Sequence, residues 1–135
     1  MSTGALVIVE EWLGAVNRRD SDRVEDLSDE EVEVAGPRGT VRGRQILSGW
    51  LARAGFSAEP LRWFCGGDGT VVVEQDACWV DVATGKEKGR AVVASQFLVD
   101  GARVTRYVRH DDLGAALAAT GLDDPGDEVT GRNAH

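Results

Sequence analysis

The sequence predicts an α+β fold in which helices cover one face of an antiparallel sheet, and three observations predict it. Three β-rich runs follow one another between Thr70 and His110, joined by turns that contain Gly85 and Asp100-Gly101. Runs of that kind with glycine in the turns form an antiparallel meander. Before them, the segment from Thr3 to Arg18 carries apolar residues at helical spacing. No linker divides the two regions, so the helices can cover the sheet face that a bare meander leaves in water.

Leu6, Val9, Leu13 and Val16, with Ala5, Trp12 and Ala15 beside them, define the first helix. Asp20 or Ser21 can cap a short second helix carrying Val24 and Leu27. Glu31–Val34 alternates like a strand, Gly36-Pro37-Arg38-Gly39 is a turn by composition, and Thr40–Arg42 is its return strand. Helix three runs from about Arg44 to Ala54, with Ile46, Leu47, Trp50 and Leu51 on one side and Gly55 ending it. The meander then opens with Leu61–Cys65 and continues through Thr70–Val82, Arg90–Val99 and Arg103–His110. A last Ala-rich segment, Leu113–Leu122, reads as a short helix capped by Asp111 or Asp112. One domain over residues 1–122 and a polar, flexible tail over 123–135 follow from this order.

The 135 residues, 42% hydrophobic and 28% charged, have the composition of a globular domain. A net charge of -8 leaves no basic footprint, so neither nucleic acid nor an anionic membrane is expected as a partner. The apolar run Ala5–Val9 meets Glu10 and Glu11, too short for a signal or a membrane span, and a cytoplasmic protein is expected. Cys65 and Cys78 are expected as free, buried thiols, because the strand register keeps them apart. Two distant histidines give no zinc spacing. The acids from Glu25 to Glu33 read as a solvated face, so no metal and no cofactor is expected. Arg38, Arg42 and Arg44 lack the glycine spacing of a phosphate loop.

Three stretches are similar, in order and spacing, to one known superfamily. They are Val9-x-x-Trp-Leu-x-Ala-Val-Asn-x-x-Asp-x-Asp-x-Val-x-x-Leu27, Gly43-Arg-Gln-Ile46, and Phe97-x-Val-Asp-Gly101 followed by Val104 and Tyr107. Over roughly residues 5–112 the chain resembles the nuclear transport factor 2-like superfamily, which includes ketosteroid isomerase, limonene epoxide hydrolase, scytalone dehydratase and the SnoaL-like polyketide cyclases. The resemblance implies a cone: a strongly curved antiparallel sheet wrapped around three N-terminal helices, with a pocket open at one end. It also implies a homodimer paired through the outer face of the sheet.

The catalytic positions of these relatives do not carry across. The oxyanion-donating tyrosine of ketosteroid isomerase falls on Trp12, its general-base aspartate on Gly36, and its second oxyanion donor on or beside Ser95. Epoxide hydrolases need an Asp-Arg-Asp group around a water. Here Glu74-Gln75-Asp76 has glutamine in the middle, and Arg109 stands where that family has its further aspartate. The acid/base residue of the cyclases falls nearest His110, which strand alternation turns away from Tyr107 and Arg109.

With a bulged turn at Asp100-Gly101, the odd-numbered residues face inward: Val73, Gln75, Ala77, Trp79, Val93, Ser95, Phe97, Thr105, Tyr107 and Arg109. Trp12, Trp50 and Trp63 join Gln75, Trp79, Ser95, Phe97, Tyr107 and Arg109 as the expected ligand pocket, aromatic with a few polar groups. Arg109 faces that cavity and needs an anion: a ligand carboxylate, phosphate or enolate, or else Asp111, Asp26 or Asp29. The expectation is a protein that binds a small hydrophobic or weakly anionic molecule. Two alternatives stay open. One is an isomerase, cyclase, dehydratase or hydrolase using Tyr107, Arg109 and a base such as Asp111, Glu74 or His110; the other is a pocketless dimeric interaction module.

Overall fold

Helix α1 (Thr3–Asn17) turns Leu6, Val9, Leu13 and Val16 to one side, and all four are buried, so the helical period in the sequence is the contact stripe. These positions come from a computed structural model that describes residues 3–36 and 39–129. Helix α2 (Ser21–Asp26) starts where Asp20 accepts a bond from the Arg23 N–H at 3.2 Å, and it buries Val24. Helix α3 (Gln45–Ala54) presents buried Leu47 and Leu51 and stops at Gly55, whose φ of 58° lies in the left-handed region. Pro37 and Arg38, and with them part of the predicted turn, lie outside the described residues.

Seven strands follow: β1 (Ser28–Gly36), β2 (Gly39–Arg42), β3 (Phe56–Cys65), β4 (Thr70–Val80), β5 (Glu87–Asp100), β6 (Arg103–His110) and β7 (Glu128–Val129). They form one curved, unclosed sheet in the order β2-β1-β6-β5-β4-β3-β7. The three N-terminal helices lie in its concavity, as expected. One pairing departs from the predicted antiparallel sheet: β1 runs parallel to β6, with Val34 opposite Tyr107. No hairpin joins these strands; α3 and the whole meander intervene, which is the long connection a parallel pair requires.

Two bulges set the facing of the inner residues. At the end of β5, Leu98 pairs with Arg106 and Val99 with Val104, so Thr105 is the extra residue, and its Oγ1 donates to the Leu98 carbonyl at 3.1 Å. Val104, not the expected Thr105, is therefore buried in the core, while Tyr107 and Arg109 keep the inner face. The second bulge lies between Pro60 and Arg62 and leaves Leu61 exposed. It absorbs the proline, so β3 begins at Phe56 and not at Leu61 as the sequence predicts.

The outer face is not bare. Helix α4 (Leu113–Thr120), capped by Asp112 accepting from the Ala115 N–H at 2.8 Å, packs Ala116 against Phe64, Val72 and Ala94, with Leu113, Leu117 and Leu122 around them. The stretch from Asp123, expected as a flexible tail, folds back as far as Val129. There β7 pairs with Trp63 and Phe64 at the free edge of β3. Residues 130–135 lie outside the described residues. Cys65 and Cys78 are free, as expected, but each is only partly buried. Among the described residues no helix is long and apolar enough to cross a membrane.

Arg62 latches β7, donating to both oxygens of Glu128 at 3.0 and 2.8 Å and to Asp124. The guanidinium holds the Glu128 carboxyl below the usual carboxylate range. A folded-state value that is depressed stabilises above the unfolded glutamate pKa, about 4.3, and the contribution fades as pH falls through the folded value. The Val129 methyl resonances are expected to hold their folded shifts at neutral pH and move to random-coil positions on acidification. In Arg62→Gln that movement is expected at neutral pH already, and unchanged shifts there would rule the latch out.

Candidate functional site

The concave interior is an aromatic cluster built from four elements. Trp12 of α1 lies 6.4 Å from Trp50 of α3, centroid to centroid, 5.3 Å edge-on from Phe97 of β5 and 5.1 Å from Tyr107 of β6. Phe97 and Tyr107 are register partners with rings 5.1 Å apart. Phe56 links Trp50, at 6.1 Å, to Trp79, at 5.5 Å, its own partner on β4. Trp12, Phe56, Phe97 and Tyr107 are buried, whereas Trp50 and Trp79 are partly exposed at one end of the cluster. Five of the six predicted aromatic pocket residues thus come together. Trp63 does not: the Leu61 bulge and the position of β3 place it opposite Val73, where it lines a separate cavity of about 280 Å³ with Glu10, Leu13 and Glu59.

Trp12 is a wall and not a donor. Its indole N–H is committed to Ser28 Oγ at 2.9 Å, and Ser28 donates in turn to the Val24 carbonyl at 2.7 Å. Ser28 is fully buried and escaped the sequence reading, since a lone serine at a strand start carries no periodic signal. Phe56 escaped too, because Pro60 moved the predicted strand start past it.

A polar row runs beside the aromatics. Ser95 Oγ donates to Gln75 Oε1 at 2.6 Å, with the Tyr107 phenol nearby. A hydroxyl has one proton to give, and Ser95 spends its own on Gln75. Burial raises the Tyr107 pKa, opposed by the nearby Ser95 hydroxyl and Arg109 charge, so the phenol stays neutral. Among the described residues Gln75 Nε2, which is buried, has no hydrogen-bond partner. Such an orphan costs about 1–3 kcal/mol, which a folded protein carries only for a reason.

Arg109 pairs across the ladder with Ser95 and lays its guanidinium over the Trp79 ring, 4.6 Å from the centroid. The expected carboxylate partners Asp111, Asp26 and Asp29 do not reach it; among the described residues Arg109 has no ion pair, and a cation–π contact takes that place. Asp111 is exposed beyond the end of β6. His110 faces outward, as alternation predicts, with Nε2 2.9 Å from Gln96 Oε1. Glu74 is on the outer side of β4 with Asp76, which accepts from Arg90 at 3.2 Å. Arg42 is bound to Glu33 at 2.9 Å, so it is not gathered with Arg44 around a phosphate, and Arg38 lies outside the described residues. A second cavity, about 420 Å³, is lined by Arg19 and Asp81 and by Leu51 and Val80, the sequence neighbours of the partly exposed Trp50 and Trp79. Arg19 Nη1 donates to the Phe56 carbonyl at 2.6 Å, so this cavity adjoins the exposed end of the cluster.

No protein-family description and no curated protein matches the chain. Solved structures do. A putative polyketide cyclase from Xanthomonas campestris pv. campestris superposes with a TM-score of 0.72 at 20% identity, over 86% of this chain and 96% of that one. An LEH-like epoxide hydrolase of M. tuberculosis gives 0.71 at 22% identity over 88% and 96%. TerC, co-crystallised with polyporic acid, gives 0.69 at 18% identity over 83% and 94%. At these identities the likeness shows the fold: the chain has the cone-shaped α+β fold of the nuclear transport factor 2-like superfamily. Fold leaves function open, and the site must decide it.

Proposed function

We propose that the protein binds a small, flat, hydrophobic or weakly anionic molecule at the exposed end of the aromatic cluster, against Trp50, Trp79, Tyr107 and Arg109. The observation that carries this reading is Arg109: a guanidinium stacked on Trp79 without a carboxylate keeps its N–H donors for an incoming anion. TerC, which shares the fold, was co-crystallised with polyporic acid, a precedent for an organic acid on this scaffold. Chemistry is not part of the proposal. Tyr107 and Arg109 are both donors, and the described residues place no carboxylate among them to serve as a base. The pocketless alternative draws on the burial of Trp12, Phe56 and Phe97, which fill the deep interior. It does not account for Arg109. Self-association through the outer face would use the strip around Val92, which is 51% exposed and lies beside the part covered by α4. Two unpaired thiols favour the reducing cytoplasm.

Native mass spectrometry of the purified protein, with organic extraction, tests both parts. A co-purifying compound present in the wild type and absent from an equally folded Arg109→Ala is the expected result, on a dimer. An Arg109→Ala protein that keeps its compound, or a wild type that binds nothing while the variant loses stability, would make Arg109 structural. A monomer would remove the outer-face dimer.

A further inference from the structure

Resting on the reading above, we infer that the ligand is an oxo-acid: a flat ring bearing an anionic oxygen for Arg109 and, across the ring, a neutral carbonyl oxygen for Gln75. The inference comes from hydrogen-bond direction. Ser95 gives its proton to Gln75 Oε1, and that polarity leaves the Gln75 amide as an N–H donor. Ser95 spends its proton inside the row, which leaves Gln75 Nε2 as its orphaned buried donor and the Arg109 guanidinium, stacked on Trp79, as its charged one. A purely apolar ligand would leave Gln75 Nε2 orphaned.

Position separates the two oxygens. Arg109 is opposite Ser95 on the neighbouring strand, and Gln75 lies one strand further, opposite Val93. The two backbones are therefore two strand spacings apart, about 10 Å, and offset by two residues, about 7 Å, along the strands. With each side chain leaning toward the cavity, a bicyclic ring spans the remaining gap. The charges differ as well: a full cation at one end calls for an anion, and a neutral amide at the other calls for a carbonyl. Val93 and Ala77, both buried, form an apolar floor under the ring beside Gln75.

Three probes separate the terms by titration calorimetry at neutral pH. Chromone-2-carboxylate has both oxygens, its methyl ester lacks the anion, and 2-naphthoate lacks the ring carbonyl. The carboxylate is expected to bind at least tenfold tighter than either. Arg109→Gln is expected to bring it down to the ester's affinity and leave the ester unchanged. Gln75→Leu is expected to bring it down to that of 2-naphthoate and leave 2-naphthoate unchanged, and Gln75→Met serves should the leucine variant fail to fold. The melting temperature of the free Gln75 variants is expected to change little, since the orphan amide donor is removed while the Ser95 hydroxyl loses its acceptor. Ester and acid binding equally, or Gln75 variants that bind all three as the wild type does, would overturn the oxo-acid while leaving a pocket. Binding of none of the three would also overturn it; if the co-purifying compound is then missing as well, the pocket reading itself fails.

Discussion

Trp12→Ala is expected to cost about 3–5 kcal/mol of unfolding free energy, the range for emptying a buried tryptophan site. That is a large share of the 5–15 kcal/mol available to a domain of this kind. The reason is position: Trp12 is in contact with Trp50, Phe97 and Tyr107, so its loss removes the ring that ties α1 to α3, β5 and β6. Collapse cannot refill the space, because Phe97 and Tyr107 are fixed by their ladder register. Urea unfolding followed by circular dichroism measures the loss, and a change below about 1 kcal/mol would show that the cluster is not the centre of the core. Ser28→Ala supplies the control. It leaves the ring but strips the indole N–H of its acceptor, so about 1–3 kcal/mol is expected. In Trp12→Phe that same serine substitution should cost less, because no N–H remains to be orphaned.

The fold was legible wherever a period was long enough to count. Helix α1 shows four buried residues at helical spacing, and β4 to β6 show alternation, so their facing followed once a bulge was assumed near Asp100-Gly101. Its position at Thr105 was not legible: Asp100 pairs with Arg103 across a tight turn, and the extra residue sits two places further on. The cover of α4 on the outer face had a signal that went unread. Trp63-Phe64 and Val71-Val72-Val73 are apolar at successive positions, and a strand apolar on both sides is buried on both sides. An Ala-rich helix with little contrast between its faces could not announce where it packs. Strand β7 left no trace because two residues make no pattern; what holds it is the Arg62 fork on Glu128, a long-range ion pair.

For the site, residue identities were readable and partnerships were not. The inner face of Gln75, Ser95, Tyr107 and Arg109 follows from alternation, yet the bond between Gln75 and Ser95 requires the β4–β5 register. That register is closed at a turn where Asp81 accepts from the Ala83 and Thr84 N–H groups at 2.8 and 3.2 Å. Arg109 needed a partner on any reading. Three aspartates were available by sequence, and the aromatic face of Trp79 took it because both side chains rise from the same concave surface while Asp111 lies past the strand end. An ion pair depends on where two flexible chains finish, which spacing along one strand does not state.

Gly55→Ala is expected to lose about 2–5 kcal/mol and to disturb the site at the same time. Both Gly55 and Gly121 follow helices and have left-handed backbones, φ 58° and 75°. That conformation alone costs a Cβ-bearing residue about 1–2 kcal/mol. Their surroundings differ. A Cβ at Gly121 meets nothing, whereas one at Gly55 would overlap the Val80 carbonyl oxygen, and the Val80 N–H donates to the Gly55 carbonyl at 2.9 Å. This contact pins the end of α3 to the end of β4, next to Trp50, Phe56 and Trp79. Making room for a methyl adds about 1–3 kcal/mol of overpacking and pushes β4 outward. Gly121→Ala should therefore lose only the conformational part. Gly55→Ala should lose more and also shift the Trp79 indole resonance, as the ring moves relative to Arg109. Equal losses from the two substitutions, with that resonance unmoved, would show that α3 and β4 are not fastened there, and the Trp79–Arg109 stack would have to be held by the sheet alone.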